Sequence, residues 1–159
     1  MDLRLIYAII LTLLPISELR VGLPLGVLYA LENNMPVFLI FSVIVLLNIL
    51  IIFFIFWFLD NLHTFFMRFG FYHRSFEIFL KKFQKKVDKF ERRYDSLGFL
   101  ALIIFVAIPL PGTGAWTGCL LAWLLGLDRK KSIMAISLGI VIAGVLILLA
   151  SLGFINLFL

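Results

Sequence analysis

Leu14-Pro15-Ile16-Ser17-Glu18-Leu19-Arg20-Val21-Gly22-Leu23-Pro24 interrupts an apolar run with two prolines, an acid and a base. Moved along the chain by 96 residues, Leu14-Pro15 falls on Leu110-Pro111, Gly22 on Gly118, and Leu31-Glu32 on Leu127-Asp128. The N-terminal third therefore reads as recurring in the C-terminal third. Proline with proline, glycine with glycine and acid with acid carry that reading, because Leu, Ile and Val coincide often in apolar chains. In membrane proteins, paired Gly/Pro-interrupted segments at matching positions of two halves point to a transport site.

The surrounding composition demands lipid. Hydrophobic residues make up 64% of the 159 positions, where a soluble domain holds nearer to half. A soluble core of this size could not hide so many Phe, Leu and Ile side chains. The expected class is an all-α integral membrane protein in one domain. Residues 1–59 form a first repeat, 60–96 a basic linker helix and 97–159 a second repeat. The stretches 37–59 and 133–155 each supply the roughly 20 apolar residues that a bilayer span needs. Residues 3–14 and 24–31 are apolar but short, reaching roughly 20 Å or less against a ~30 Å core. They read as two half-helices around a broken tip, with Pro24 in a first helical turn. Residues 99–127 repeat the pattern around Pro109-Leu110-Pro111-Gly112-Thr113-Gly114. The apolar run ending at Leu14 lacks a small-x-small site before Pro15, so it is expected to be retained.

Charge gives the expected orientation. Nine of the fourteen Lys/Arg lie between Asp60 and Asp95, which puts 60–96 in the cytoplasm of a cell-membrane protein. A fully crossing 99–127 would carry Arg129-Lys130-Lys131 outside; a re-entrant hairpin returns them inside. Glu32-Asn33-Asn34, without positive charge, would lie outside. The halves are then inverted: each is a re-entrant hairpin plus one span, and the hairpins enter from opposite faces. Within 60–96, Phe76, Phe79, Phe83, Val87, Phe90 and Tyr94 line one face of a basic amphipathic helix suited to anionic headgroups. The basic charge thus marks a membrane side, not nucleic acid.

Glu18 and Arg20 stand out chemically. A charge at mid-depth is costly unless paired or hydrated, so intramembrane ionisable residues are functional candidates. Arg20 would grip an anionic group. Glu18 would carry a proton or cation, because desolvation penalises the charged carboxylate. A Glu18–Arg20 pair that merely pins the tip is the structural alternative, and the two would face similar sides only in an extended tip. In the second tip, Pro111, Gly112 and Gly114 break the helix. A half-helix starting near Ala115 would aim free N–H groups at the membrane centre, with hydroxyls from Thr113 and Thr117. Pro15, Gly22 and Pro24 shape the first tip. Asn48, in mid-span, could bond a tip, a substrate or a neighbouring helix. Ala135, Gly139 and Ala143 suit close helix packing, and Trp57 an aromatic belt. His63, His73 and Cys119 have no partner spacing for a metal. No nucleophile–histidine–acid set or phosphate loop occurs, so neither an enzyme nor a cofactor is expected.

Pro15-Ile-Ser-Glu-Leu-Arg-Val-Gly-Leu-Pro-Leu-Gly26 resembles the P-x-x-E-x-R-x-x-x-P-x-G signature of the small multidrug export proteins. Ile108-Pro-Leu-Pro-Gly-Thr-Gly-Ala-Trp-Thr-Gly118 resembles that family's second signature. That family is similar, more distantly, to the DedA/VTT superfamily, whose members carry two re-entrant hairpins in inverted halves. The resemblance implies lipid transport with proton coupling, and gives Glu18 and Arg20 the polar positions of the first hairpin. The chain departs from that pattern in lacking arginines around its second hairpin. The expectation is a transporter for an anionic amphiphile, a lipid carrier or a small organic anion, in a homodimer or larger oligomer. A cationic drug exporter, or a lipid scramblase or assembly factor, remain as alternative readings.

Overall fold

A computed structural model describes residues 3–15, 17–66, 91–110 and 112–158. Among them are six helices and no strand: α1 (Leu3–Leu13), α2 (Glu18–Glu32), α3 (Val37–Phe66), α4 (Glu91–Ala107), α5 (Ala115–Leu124) and α6 (Arg129–Phe158). Only α3 and α6 are long and apolar enough to span a bilayer. Their 26-residue segments Val37–Leu62 and Arg129–Phe154 have mean hydropathies of 3.2 and 2.9.

Each long helix buries a narrow stripe and turns apolar side chains outward elsewhere. On α3, Ile40, Ile44, Asn48, Ile52 and Ile55 recur at spacings of three and four and are buried. Phe38, Leu46, Leu50, Phe53 and Trp57 face out, Phe38 being 78% exposed. On α6 the buried stripe is Ala135, Ile136, Ile140, Ala143 and Ile147, with Met134, Leu138 and Leu149 outward. Outward side chains this apolar need lipid rather than water around them. The chain is a helical membrane protein.

Close contacts give the helix directions. Arg4 pairs with Glu32 at 2.5 Å, and Gly22 meets Thr12 and Ala8, so α1 and α2 form an antiparallel hairpin. Gly26 lies against Ile40 and Ile44 of α3. Arg129 pairs with Asp60 at 2.6 Å, and Gly144 faces Val45 and Phe41; α3 and α6 therefore run antiparallel. Gly118 meets Val106 of α4 and Ile136 of α6, and Gly139 meets Val106 and Ile103. The second arm of each hairpin also packs on the other half's long helix, α2 on α6 and α5 on α3. The two second arms end alike. Met35 N–H donates to Ala30 O with Asn34 at φ 53°, and Leu127 N–H donates to Ala122 O with Gly126 at φ 64°. These are left-handed caps that satisfy the last carbonyls.

Several boundaries differ from the sequence reading. The helix resumes at Glu18 rather than near Pro24, so Pro24 sits inside α2. One missing N–H interrupts a single hydrogen bond, which packing on α1 and α3 outweighs. The long helices overrun their expected ends, α3 to Phe66 and α6 from Arg129. The linker bounds at 60 and 96 consequently fall within α3 and α4. The amphipathic stripe over 76–94 falls on residues 67–90, outside the described ones, up to the last turn that opens α4. His73 also lies outside them.

Gly139 tests the packing. A Cβ there would meet Val106 Cβ at 2.7 Å and the Ile103 carbonyl at 3.0 Å, whereas one on Gly153 meets nothing within 4 Å. Gly139→Leu is expected to destabilise the protein by about 1–3 kcal/mol, and Gly153→Ala to stay within about 0.5 kcal/mol, measured by thermal unfolding in detergent micelles.

Candidate functional site

Breaking α1 at Leu14 strands carbonyls in the middle of the molecule, where an unmet polar group is costly. Side chains from three directions meet them. Ser17 Oγ donates to Leu11 O at 2.5 Å, Asn48 Nδ2 to Thr12 O at 3.2 Å, and Trp116 Nε1 to Leu13 O at 3.1 Å. Glu18 N–H closes the turn on Leu14 O at 3.1 Å.

The second break needs donors accepted as well as carbonyls met. The first N–H groups of α5 point at Glu18. Ala115 N–H donates to Glu18 Oε2 at 3.2 Å, and Trp116 N–H to Oε1 at 3.1 Å. Glu18 is 5% exposed. The carboxylate thus caps a helix from which it is separated by some hundred residues, at the end where the macrodipole favours negative charge. Glu18 adopts φ 41°, uncommon for a side-chain-bearing residue, and thereby starts α2 with its carboxylate directed at α5. Gly114 is required opposite it, since a Cβ at 114 would occupy the same space as the Glu18 carboxyl group. Gly112, at φ 86°, supplies the left-handed turn before it.

Arg20 leaves α2 on the other side, because residues two apart on a helix diverge. It donates from Nη2 to Thr113 Oγ1 at 2.8 Å. Thr113 is the hub of the second tip. It also accepts from Leu110 N–H at 3.2 Å, and its hydroxyl lies 2.6 Å from Ile108 O and 2.9 Å from Leu110 O. Among the described residues Arg20 has no carboxylate within ion-pair distance. Four of its five N–H donors are left for other partners.

Arg20 also lines a cleft of about 630 Å³ between α2 and α6, with Pro24, Leu25, Leu28, Pro109, Ile147, Ser151 and Phe154 among its walls. Among the described residues Arg20 is the only charged one lining it. Pro24 contributes to the polarity, because it cannot donate to the Arg20 carbonyl. A small void of about 10 Å³ beside Glu18, Arg20 and Thr113 shares Arg20, Pro109 and Ile147 with this cleft. That is about the room of one water molecule.

Of the residues singled out in the sequence, Glu18, Arg20, Gly112, Thr113 and Gly114 come together at the meeting tips. Pro24 joins Arg20 in the cleft wall. Thr117 Oγ1 turns back to Gly114 O at 3.4 Å. Gly22 lets α2 approach Thr12, and Asn48 caps α1 from α3 and does not line the cleft. Pro15 lies in the first turn, and Pro111 falls outside the described residues. Glu18 and Arg20 do not pair with each other as the pinned-tip alternative requires. Ser17, Thr12, Trp116 and the α6 side of the cleft carried no role in the sequence reading. Polar residues inside apolar helices were the signal available for the first two. Among the described residues no three His, Cys, Asp or Glu gather as a metal site would require.

The geometry predicts a large effect at Glu18. Glu18→Ala leaves two buried N–H groups unmet, at about 1–3 kcal/mol each, while Glu18→Gln keeps an acceptor and loses less. Thermal unfolding, together with hydrogen exchange at Ala115 and Trp116, should show Ala more damaging than Gln and both amides losing protection.

A family model described as "Putative small multi-drug export protein" matches residues 18–146, and the chain belongs to that family. The match begins at Glu18, within the first tip, and takes in the whole of the second. No curated protein and no solved structure matches.

Proposed function

We propose that this member of the small multi-drug export protein family is a cell-membrane transporter, not an enzyme, for organic molecules with an anionic group on an apolar body. Arg20 is the group that binds the anion. The observation that carries this is the asymmetry of the two charges at the tips. Both Glu18 oxygens accept backbone N–H groups, whereas the guanidinium keeps most of its donors and faces an otherwise uncharged cleft. A guanidinium at mid-depth carries an insertion cost of about 2.5–3.5 kcal/mol, which an arriving anion offsets. Leu25, Leu28, Ile147 and Phe154 supply contact for the apolar body. Glu18 is the candidate for proton coupling, and taking up a proton would cost its carboxylate the hold on the two α5 amides.

We further read the two hairpins as re-entrant and inverted. Start-to-start contact of α2 with α5 supports this, together with the Arg4–Glu32 and Asp60–Arg129 pairs at the hairpins' remote ends. The Asp60–Arg129 end carries Arg129-Lys130-Lys131 and leads into the basic segment, so it is assigned to the cytoplasm. Two spans make a thin wall and the cleft opens between helices, which favours a homo-oligomer. A cationic drug exporter would need Glu18 released from α5.

Proteoliposome export of anilinonaphthalene sulfonate, an anion, against ethidium, a cation, tests the reading. The wild type should export the anion faster, and Arg20→Ala should cut that rate about tenfold or more, as loss of one charge-assisted contact implies. Arg20→Lys should retain part of it. Faster ethidium export that survives Arg20→Ala reverses the charge assignment, and export of neither probe removes the transport reading. Cysteine labelling at Asn34→Cys and Lys130→Cys should report opposite compartments; the same compartment refutes the inverted arrangement.

A further inference from the structure

The cleft at Arg20 does not end at Leu28. A second cleft of about 250 Å³ is lined by Arg4, Tyr7, Leu25, Leu28, Tyr29 and Glu32, so the two share Leu25 and Leu28. A third, of about 460 Å³, shares Arg4, Tyr29 and Glu32 with the second and is also bounded by Leu3 and Asn33. Adjoining at these shared residues, the three clefts follow one another as a groove along α2, with leucine between them and an arginine toward each end. From Arg20 to Glu32 the helix rises about 18 Å, against about 15 Å for half of a hydrocarbon core. A groove of that length joins mid-depth to headgroup level.

We infer that Arg4 and Glu32 form an outer station for the anionic head of a long-chain amphiphile, which reaches Arg20 along this groove across Leu25 and Leu28. The inference rests on the reading of Arg20 above and adds the amphiphile's route and a second binding site. The groove's chemistry sets the occupant. Its floor is leucine, so the body it takes is hydrocarbon. Among the described residues its only cations are Arg4 and Arg20, so the head it takes is an anion. The outer pair is suited to exchange. Its side chains are 74% and 44% exposed, and an exposed ion pair is weak. Arg4 spends one of its five donors on Glu32, so a phosphate or carboxylate head can displace the Glu32 carboxylate without leaving Arg4 unpaired. Tyr7, 60% exposed on the same wall, presents its amphipathic ring where interfacial aromatics sit. Leu25 and Leu28 form the threshold between the stations: the tail crosses it in contact throughout, while the head passes from one guanidinium to the other.

The test uses the full chain in phosphatidylcholine vesicles and palmitate carrying a photoreactive diazirine beside its carboxyl group, with its methyl ester as the uncharged control. Crosslinked peptides are mapped by mass spectrometry. The acid should label both the outer cleft (Tyr7 and Tyr29, which do not line the inner one) and the inner wall at 146–154 more than the ester does. Arg4→Gln should reduce outer labelling about fivefold, the upper end for an exposed charge pair, and Arg4→Lys should restore it. Arg20→Ala should spare the outer label and abolish that at 146–154. Equal outer labelling by acid and ester, or outer labelling unchanged in Arg4→Gln, overturns the outer station. Labelling at 146–154 that survives Arg20→Ala overturns the inner anion site and with it the groove, leaving the outer preference as a surface effect; the two failures are therefore separable.

Discussion

A carboxylate reaching from one broken helix to the first two amides of another is the contact on which the rest of this molecule depends. Interrupting a helix inside an apolar slab creates unmet donors and acceptors that water cannot reach. Glu18 answers the donors of α5, and Trp116, the second residue of α5, answers the Leu13 carbonyl of α1 with its indole N–H. Each tip therefore completes the other. Neither break is satisfied alone without leaving about 1–3 kcal/mol per unmet group, so the two are stable only as a pair.

The same reciprocity explains the glycines and the strained backbone. Gly114 has no side chain because the Glu18 carboxyl group fills that space, and Glu18 holds a positive φ because that direction points it at α5. Gly22 and Gly26 bring α2 close to α1 and α3. At the remote ends, Asp60 ties Trp123 and Arg129 together while Arg129 lies 4.8 Å over the Phe56 ring. Arg4 and Glu32 close the other hairpin. The ion pairs and tip contacts among the described residues thus lie at three levels, the two ends and the middle, with apolar packing between.

Much of this was readable in the chain. The long apolar runs fixed α3 and α6, and Pro109 to Gly114 marked a break that the structure shows there, followed by a helix from Ala115. Pro24 misled, because local propensity puts it at a helix start while α2 is held helical around it by tertiary contacts with α1 and α3. The site was half legible. Glu18 and Arg20 were conspicuous as charges in an apolar context, yet their partners could not be inferred. Helical geometry at 18–20 sends them apart, and that depended on where α2 begins. Trp116, Ser17 and the α6 wall of the cleft act through contacts across the fold, for which sequence spacing carries no signal.

The separation of Glu18 from Arg20 is also what gives the site a sign. Had they paired, the guanidinium's donors would be spent on the carboxylate. Backbone N–H groups hold the acid instead, and their helix N-terminus offsets roughly half of its charge. The base is left with one hydroxyl, that of Thr113. That hydroxyl is itself tied to the Ile108 and Leu110 carbonyls, so the guanidinium is held in position by an acceptor that cannot cancel its charge. The result is a fixed positive group with donors to spare, at the end of an apolar cleft and one helical turn before a proline. Rigidity comes from the second hairpin and charge from the first, and the site exists only where the two meet.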